Sequence, residues 1–220
     1  MSLGPPPLRH VTDQAWWRAA AQSLGHPWRY VQWRLARTRS LRRRRDEFQQ
    51  LLEYLPEGGT MAEIGVWRGD TARQWQQRAA RMDLIDPWRV VPGKGWWGSD
   101  VVTQRDLDWM CFGVCKHFRS QIRDGSVRVL RMTSAEALRF AGVYDLVFID
   151  GDHTYSVVLA DLRGWWPLVR AGGFLCGDDY LHGSWFGDDV IRAVNAFANE
   201  IGQVPVLIGQ HWLFTKPEAE

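Results

Sequence analysis

The chain lacks three features: a long apolar run, an even set of cysteines and a large net charge. No stretch approaches the roughly 20 uncharged apolar residues of a membrane span, and the N-terminus lacks the layout of a secretion signal. We therefore expect a cytoplasmic protein with no membrane partner. Three cysteines, an odd number, argue against a disulfide framework and suit a reducing compartment. The net charge of +2 produces no strong field, which counts against a nucleic-acid partner.

What the chain does contain is enough apolar material for one well-buried domain with an appended element. Its 220 residues are 45% hydrophobic and 24% charged, as is ordinary for a globular protein. Residues 1–55 show helical spacing, many arginines and no strand pattern, so we predict an N-terminal helical extension there and a second domain over residues 56–220. Seven arginines between Arg34 and Arg45 fit either a solvated helix face or a surface for an anionic partner.

Tryptophan is unusually abundant, with 14 copies in the chain. Most single tryptophans are expected to be amphipathic packing residues. Three adjacent pairs are present: Trp16-Trp17, Trp96-Trp97 and Trp165-Trp166. Because both members of every pair cannot enter one core, some of these side chains are expected to line a pocket or an interface, and a homo-oligomer is left open.

Apolar runs alternate with amphipathic segments from residue 60 onward. We predict strands at residues 60–64, 82–85, 127–130, 144–149 and 173–177, and helices at residues 70–80, 104–123, 134–140, 155–168 and 188–201. Residues 204–208 and 212–215 have only a tight turn between them, which predicts a closing antiparallel pair. Strands that alternate with helices predict an α/β fold, with a doubly wound and mostly parallel sheet between two layers of helices.

Two acidic clusters follow consecutive predicted strands. Residues 144–149 run into Asp150-Gly151-Asp152-His153, and residues 173–177 run into Asp178-Asp179. If the two strands are parallel neighbours, their C-terminal ends lie side by side, where open α/β sheets bind their ligands. Four carboxylates in one crevice repel each other unless protons or a metal cation compensate them.

Asp150, Asp178 and Asp179 have the character of ligands for a hard divalent ion, because Mg²⁺ prefers oxygen ligands and keeps places for further oxygens. The other interpretation is that Asp178 and Asp179 only cap the turn that follows their strand. The residues by themselves leave both interpretations open.

A glycine-containing loop follows the first predicted strand. Gly65 permits a tight turn, and Gly69 lets the next helix begin close to a ligand, where free backbone N–H groups favour a negative group such as a carboxylate. Glu63 replaces the first glycine of dinucleotide-binding loops, which disfavours pyrophosphate and favours a ligand with an amino group. Asp86, at the end of the second strand, can accept hydrogen bonds from two ribose hydroxyls. A purely structural turn is the alternative for the loop.

In four segments the chain resembles class I S-adenosylmethionine-dependent methyltransferases: AEIGVWRGDTA, LIDPW, YDLVFIDGDHTYSVVLADL and AGGFLCGDDY. The resemblance is closest to the metal-dependent O-methyltransferase branch that includes macrocin and aminocoumarin-sugar enzymes, and it covers roughly residues 60–215. It implies a Rossmann-like, seven-stranded sheet whose last strand is antiparallel.

The resemblance also implies roles for individual residues. The methionine part of S-adenosylmethionine would lie against the glycine loop, Asp86 would hold the ribose, and Ser134 would lie near the adenine. The implied cofactor-binding residues are Glu63, Gly65, Val66, Trp67, Gly69, Asp86, Ser134 and Asp150. The implied metal ligands are Asp150, Asp178 and Asp179, with Mg²⁺ as the metal cofactor.

Two residues compete for the role of general base. Methyl transfer to a neutral hydroxyl must lose a proton, and the group that removes it must lie within hydrogen-bond reach. Relatives place an acid at the position of Asp152 or a histidine at the position of His153, and this chain has both. Asp152 is our first choice, with His153 as its partner; a histidine that only packs at a helix start is the other interpretation.

We therefore predict a Mg²⁺-dependent O-methyltransferase whose acceptor is a hydroxyl of a sugar, a glycoside or a phenolic natural product. The loop that carries Trp96 and Trp97 is expected to close over this acceptor. Two other interpretations stay open: a non-catalytic nucleoside-binding scaffold, and an RNA methyltransferase that uses the arginine-rich segment.

Overall fold

The structure is a computed structural model that describes residues 46–90, 103–183 and 186–218. From Glu47 onward the described chain forms one compact unit. The predictions for residues 1–45, with the arginine-rich segment and Trp16-Trp17, and for the loop with Trp96-Trp97 lie outside the described residues.

Seven strands form one sheet in the order β3-β2-β1-β4-β5-β7-β6. Their bounds are β1 Gly59–Ile64, β2 Ala79–Ile85, β3 Val127–Leu130, β4 Tyr144–Ile149, β5 Val169–Gly177, β6 Val206–Ile208 and β7 His211–Thr215. Strands β1 to β5 are parallel, whereas β7 runs antiparallel to both β5 and β6. The predicted doubly wound, mostly parallel, seven-stranded sheet with an antiparallel last strand is confirmed.

Helices connect the strands. Residues 46–52 form α1. The others are α2 Ala72–Trp75, α3 Gln104–His117, α4 Arg119–Asp124, α5 Ser134–Ala137, α6 Tyr155–Trp165 and α7 Asp189–Ile201, with a short 3₁₀ turn at Trp166–Leu168. Within the described ranges no helix is both long and apolar enough to cross a bilayer.

The helix predicted over residues 70–80 is wrong in length. Only α2 is helical there, and the chain enters β2 at Ala79, three residues before the strand predicted from the sequence. The cause lies in the neighbouring strand, because Gly59 of β1 pairs with Ala79 and the N–H of Gly58 donates to the carbonyl oxygen of Arg78 at 2.8 Å. Pairing with β1 therefore overrides the local helical pattern.

The core lies on both faces of β4, all of whose residues are buried. On one face Phe48 of α1 and Trp75 of α2 contact Phe148, with ring centroids 6.0 and 5.6 Å from that of Phe148. On the other face Trp165 and Trp212 are fully buried in the cluster that α6, α7 and β7 share. Aromatic side chains of this size dominate core energetics, so most described tryptophans are packing residues.

Candidate active site

The C-terminal ends of β1, β4 and β5 meet at one edge of the sheet, and the glycine loop lies against them. The N–H of Asp150 donates to the carbonyl oxygen of Ile64 at 2.7 Å, and that of Asp178 to Ile149 at 3.2 Å. Gly65 has φ +89°, and a Cβ placed there would lie 1.9 Å from the carbonyl oxygen of Asp150. The glycine loop and the first acidic cluster are therefore in backbone contact, as only glycine at position 65 allows.

Glu63 lies beneath this loop and is completely buried. Its Oε1 accepts a hydrogen bond from the hydroxyl of Thr71, while Oε2 has no hydrogen-bond partner among the described residues. Burial raises the pKa of Glu63 to about 8, and the nearby Asp86 and Asp70 add to the rise against the Thr71 hydrogen bond. A buried carboxyl with one unused oxygen is suited to receive a cationic donor, such as an amino group.

Asp86, at the end of β2, holds the glycine loop. Its Oδ2 accepts the N–H of Trp67 at 2.9 Å and its Oδ1 accepts the N–H of Trp88 at 2.7 Å. The indole N–H of Trp88 donates to the carbonyl oxygen of Trp67 at 2.8 Å, and both tryptophans have positive φ. Burial raises the pKa of Asp86 despite these bonds. Asp86 also accepts a backbone hydrogen bond from Val66, so at least one acceptor position of the carboxylate remains for a hydroxyl.

Two other predicted cofactor residues shape the same loop. The side chain of Val66 is buried in the core. Gly69 has φ +73°, and a Cβ there would lie 3.1 Å from the side chain of Val114 on α3. Glycine at position 69 therefore lets the loop pack closely on α3.

Ser134 begins α5, and its hydroxyl accepts the indole N–H of Trp165 at 2.7 Å. The Ser134 side chain also forms a hydrogen bond with Asp161, a buried residue of α6. Burial raises the pKa of Asp161 to about 6. Asp161 is not among the residues predicted from the sequence. The signal was present, because Asp161 is the one acid on a helix face that otherwise carries Val158, Leu162 and Trp165.

A cleft of about 660 Å³ opens beyond the ends of β2 and β3. It is lined by Pro87, Arg89, Gln104, Asp108, Arg131, Met132, Thr133, Glu136, Arg139 and Phe140. Arg131 donates to the carbonyl oxygen of Trp88 at 3.0 Å and forms an ion pair with Asp108. The cleft therefore lies next to Trp88, whose backbone N–H donates to Asp86.

The acidic clusters meet on the other side of the glycine loop. Nε2 of His153 lies 2.6 Å from Oδ2 of Asp179 and 3.9 Å from Oδ1 of Asp150. One ligand atom from each of these residues lies within 4.8 Å of the other two, which fits a divalent cation with two carboxylate oxygens and one imidazole nitrogen. Asp179 has φ +61°, and the imidazole ring of His153 stacks on Phe186 at 4.8 Å.

One carboxylate oxygen of Asp178, Oδ1, is directed toward the turn that leads into β7. Its Oδ1 accepts the amide N–H of Gln210 at 2.8 Å and lies 3.1 Å from Nδ1 of His211. Burial pushes the pKa of Asp178 upward, but the nearby His211 and the hydrogen bonds from Asp179 and Gln210 bring it below its ordinary value. Asp178 as a direct metal ligand stays a prediction, and the described geometry brings His153 to Asp150 and Asp179 instead.

Asp152 lies at the start of α6. Its Oδ1 accepts the backbone N–H and the hydroxyl of Thr154, at 2.8 and 2.6 Å. These bonds hold the chain between the group of Asp150, His153 and Asp179 and the helix, as in other turns closed by an aspartate side chain. The role of Asp152 as base stays a prediction.

Comparison with known proteins identifies the family of this domain. Residues 62–180, more than half of the chain, match the family described as "Methyltransferase domain". An uncharacterized protein of Acanthamoeba polyphaga mimivirus is 39% identical over 57 residues, which are 26% of this chain and 25% of that protein. The chain thus spans about a quarter of the length of this curated relative.

Solved structures share the fold at low identity. The O-methyltransferase NovP is 19% identical, with a TM-score of 0.56, and the match covers 80% of each chain. The N-methyltransferase NodS from Bradyrhizobium japonicum WM9 is 15% identical, with a TM-score of 0.53, over 80% of this chain and 97% of that one. The sheet order, the glycine loop and the family match together define a Rossmann-like methyltransferase domain.

The chain belongs to the methyltransferase-domain family. The class I methyltransferase predicted from the four sequence segments is thereby confirmed, while the O-methyltransferase branch within that class stays a prediction.

Proposed function

We propose that this protein transfers a methyl group from S-adenosylmethionine to a hydroxyl of a small molecule, with the help of a divalent cation. The observation that carries the proposal is the backbone contact between Gly65 and Asp150. This contact joins the loop suited to the methyl donor to the acids suited to the cation, so donor and acceptor would meet at one sheet edge.

On the donor side, the second oxygen of Glu63 would bind the amino group of the methionine part, and Asp86 would bind the ribose hydroxyls. Ser134 and the cleft beyond Asp86 would receive the adenine. A compensating ammonium group would favour the ionised form of Glu63, whose pKa is raised by burial. The sulfonium of the donor supplies the methyl group.

On the acceptor side, Asp150, Asp179 and His153 would hold the cation, and Asp178 would remain beside them with one oxygen tied to β7. A bound Mg²⁺ would lower the pKa of an acceptor hydroxyl. Asp152 would take the hydroxyl proton, because Thr154 fixes the orientation of this carboxylate two residues from Asp150. The nucleophilic oxygen then attacks the methyl carbon as the carbon–sulfur bond breaks.

The acceptor is proposed to carry adjacent hydroxyls, as in a sugar, a glycoside or a phenol. Two such oxygens would fill coordination positions that two carboxylates and one imidazole leave on an octahedral ion.

The test is a methyl-transfer assay that measures S-adenosylhomocysteine release across a panel of glycosides and phenols, with and without a chelator. We expect turnover with at least one acceptor, loss of turnover in the chelator, and a loss of at least about 100-fold in Asp179→Asn. Asp188→Asn is the matched control, because Asp188 makes no side-chain cap hydrogen bond to α7. Full turnover in the chelator would refute the metal-dependent reaction.

A further inference from the structure

The turn that leads into β7 reaches across to the end of β5. The amide of Gln210 donates to Oδ1 of Asp178 at 2.8 Å, and Nδ1 of His211 lies 3.1 Å from the same oxygen. The backbone takes part as well: the N–H of Tyr180 donates to the carbonyl oxygen of Gln210 at 2.8 Å, and the indole of Trp212 donates to the carbonyl oxygen of Asp178 at 3.2 Å. Side-chain and backbone contacts thus tie residues 178 and 180 to β7.

The same carboxylate oxygen also shapes the next residue. Oδ1 of Asp178 accepts the N–H of Asp179 at 2.8 Å, and Asp179 has φ +61°, a conformation that residues with a side chain rarely adopt. In this bend the carboxylate of Asp179 reaches Nε2 of His153 at 2.6 Å and lies near Asp150. The orientation of Asp179 therefore depends on an oxygen that Gln210 and His211 hold.

Gln210 and His211 are buried, with 7% and 4% of their surface exposed. The imidazole of His211 packs edge-on against Phe48, with ring centroids 5.9 Å apart, and 6.3 Å from Phe148. An apolar residue would fill this space without the cost of burying a polar ring. Packing does not account for the two polar side chains, whereas their contacts with Asp178 do.

We propose that Gln210 and His211 are positioning residues of the metal site, which hold Asp178 so that the strained bend presents Asp179 to the cation. This inference rests on the proposed function. Hydrogen-bond partners of ligating groups commonly fix the orientation of those ligands, and their loss lowers metal affinity by about 10- to 100-fold.

The test measures Mn²⁺ binding to the full-length protein by calorimetry and by the electron paramagnetic resonance signal of the free ion. His211→Phe keeps a ring against Phe48 and Phe148 but removes the nitrogen beside Asp178. We expect it to weaken Mn²⁺ binding by about 10- to 100-fold. His211→Asn places an amide N–H near the position of Nδ1, so we expect it to restore most of the affinity although it loses the ring.

Two controls separate positioning from packing. His117→Phe removes a histidine of α3 whose Nε2 contacts Gln76, and it should leave Mn²⁺ affinity unchanged. Binding of S-adenosylhomocysteine should also be unchanged in the position 211 variants, because the side chain of His211 is directed toward Asp178, Phe48 and Phe148.

Gln210→Leu provides a second variant if His211→Phe does not fold, because it removes one donor and keeps the His211–Asp178 contact. We expect a loss of about 10-fold in Mn²⁺ affinity. Wild-type affinity in folded His211→Phe or Gln210→Leu, or equal losses in His211→Phe and His211→Asn, would overturn the inference and leave the proposed function standing. A wild-type protein that binds S-adenosylhomocysteine but no Mn²⁺ would overturn the proposed metal dependence and the inference with it.

Discussion

The candidate site has two halves: a donor half around Glu63 and Asp86, proposed for the methyl donor, and an acceptor half around Asp150 and Asp179. Hydrogen bonds from backbone and indole N–H groups hold the donor half, whereas carboxylates lie close together in the acceptor half. Around Asp86, backbone N–H groups and the indole of Trp88 hold the loop. Around Asp179, two carboxylates and an imidazole bring their ligand atoms within 4.8 Å of one another. The first half is preorganised for its ligand, and the second half is expected to depend on a cation for its final geometry.

The largest loss of stability is expected from a change in the contact that joins the two halves. Gly65→Ala would place a Cβ 1.9 Å from the carbonyl oxygen of Asp150, at φ +89°. We expect the free energy of unfolding to fall by about 4 kcal/mol or more, with loss of S-adenosylhomocysteine binding, as measured by denaturant unfolding and calorimetry. Gly58→Ala is the control, because Gly58 has φ +73° but open space around it, and should cost only about 1–2 kcal/mol. Equal losses of unfolding free energy in Gly65→Ala and Gly58→Ala would mean that the contact between the two halves does not matter for stability.

In the acceptor half, Asp152→Asn separates chemistry from structure. The asparagine side-chain oxygen can still accept from Thr154, so the start of α6 should be kept. We expect kcat to fall by about 100-fold or more, because an amide cannot take the hydroxyl proton, while Tm and Mn²⁺ affinity stay near wild type. An unchanged kcat would mean that Asp152 is not the base.

In the donor half, the raised pKa of Glu63 predicts how the stability of the protein depends on pH. Its pKa is about 8 in the folded protein, against 4.5 for a glutamate in water, so the folded state keeps a proton there that the unfolded chain releases between those values. Stability should therefore fall as pH rises from about 4.5 to 8. Glu63→Gln removes this ionisation, and we expect it to raise the free energy of unfolding at pH 8.5 by about 2 kcal/mol or more, with little change at pH 4.5.

Asp161→Asn is the companion measurement, because the pKa of Asp161 rises only to about 6. Its effect should have the same sign, a smaller size and a window between about pH 4 and 6. Denaturant unfolding of both variants at several pH values checks the comparison. A wild-type stability that rises between pH 6 and 8 would contradict the assignment of Glu63.

The smallest expected effect is that of Trp88→Phe. This change removes the 2.8 Å hydrogen bond to the carbonyl oxygen of Trp67 and costs about 1–2 kcal/mol of stability, with weaker S-adenosylhomocysteine binding. Trp109→Phe is the control, because Trp109 is 58% exposed on α3. Unchanged binding in Trp88→Phe would mean that the donor half is not held by this bond.

The sheet could be predicted from the sequence because its signals are local. The run at Tyr144–Ile149 is apolar except for Asp145, and the tight turn before His211 requires an antiparallel pair. The end of α2 could not be predicted, since it is set by the pairing of Gly59 with Ala79, twenty residues apart. Local pattern decides which elements form, and pairing between them decides where they end.

The candidate site also has features that the local sequence predicts and features that depend on strand pairing. That Glu63, Gly65 and Asp86 lie at one edge of the sheet could be predicted, because each stands at a strand end next to a glycine or a turn. The orientation of Asp178 was not found, because it follows from the β5–β7 register, in which Gly177 pairs with Trp212 and so brings His211 beside Asp178. His211 is 33 positions away on an antiparallel strand, so the sequence around Asp178 does not indicate this contact.

The central claim is that a divalent cation binds between the ends of β4 and β5, beside the glycine loop. The most direct measurement is a crystal structure with Mn²⁺ and S-adenosylhomocysteine, with the metal located by its anomalous signal. We predict one peak at about 2.1 Å from carboxylate oxygens of Asp150 and Asp179, with His153 adjacent. An anomalous map with S-adenosylhomocysteine on the glycine loop and no metal at these two acids would contradict the claim.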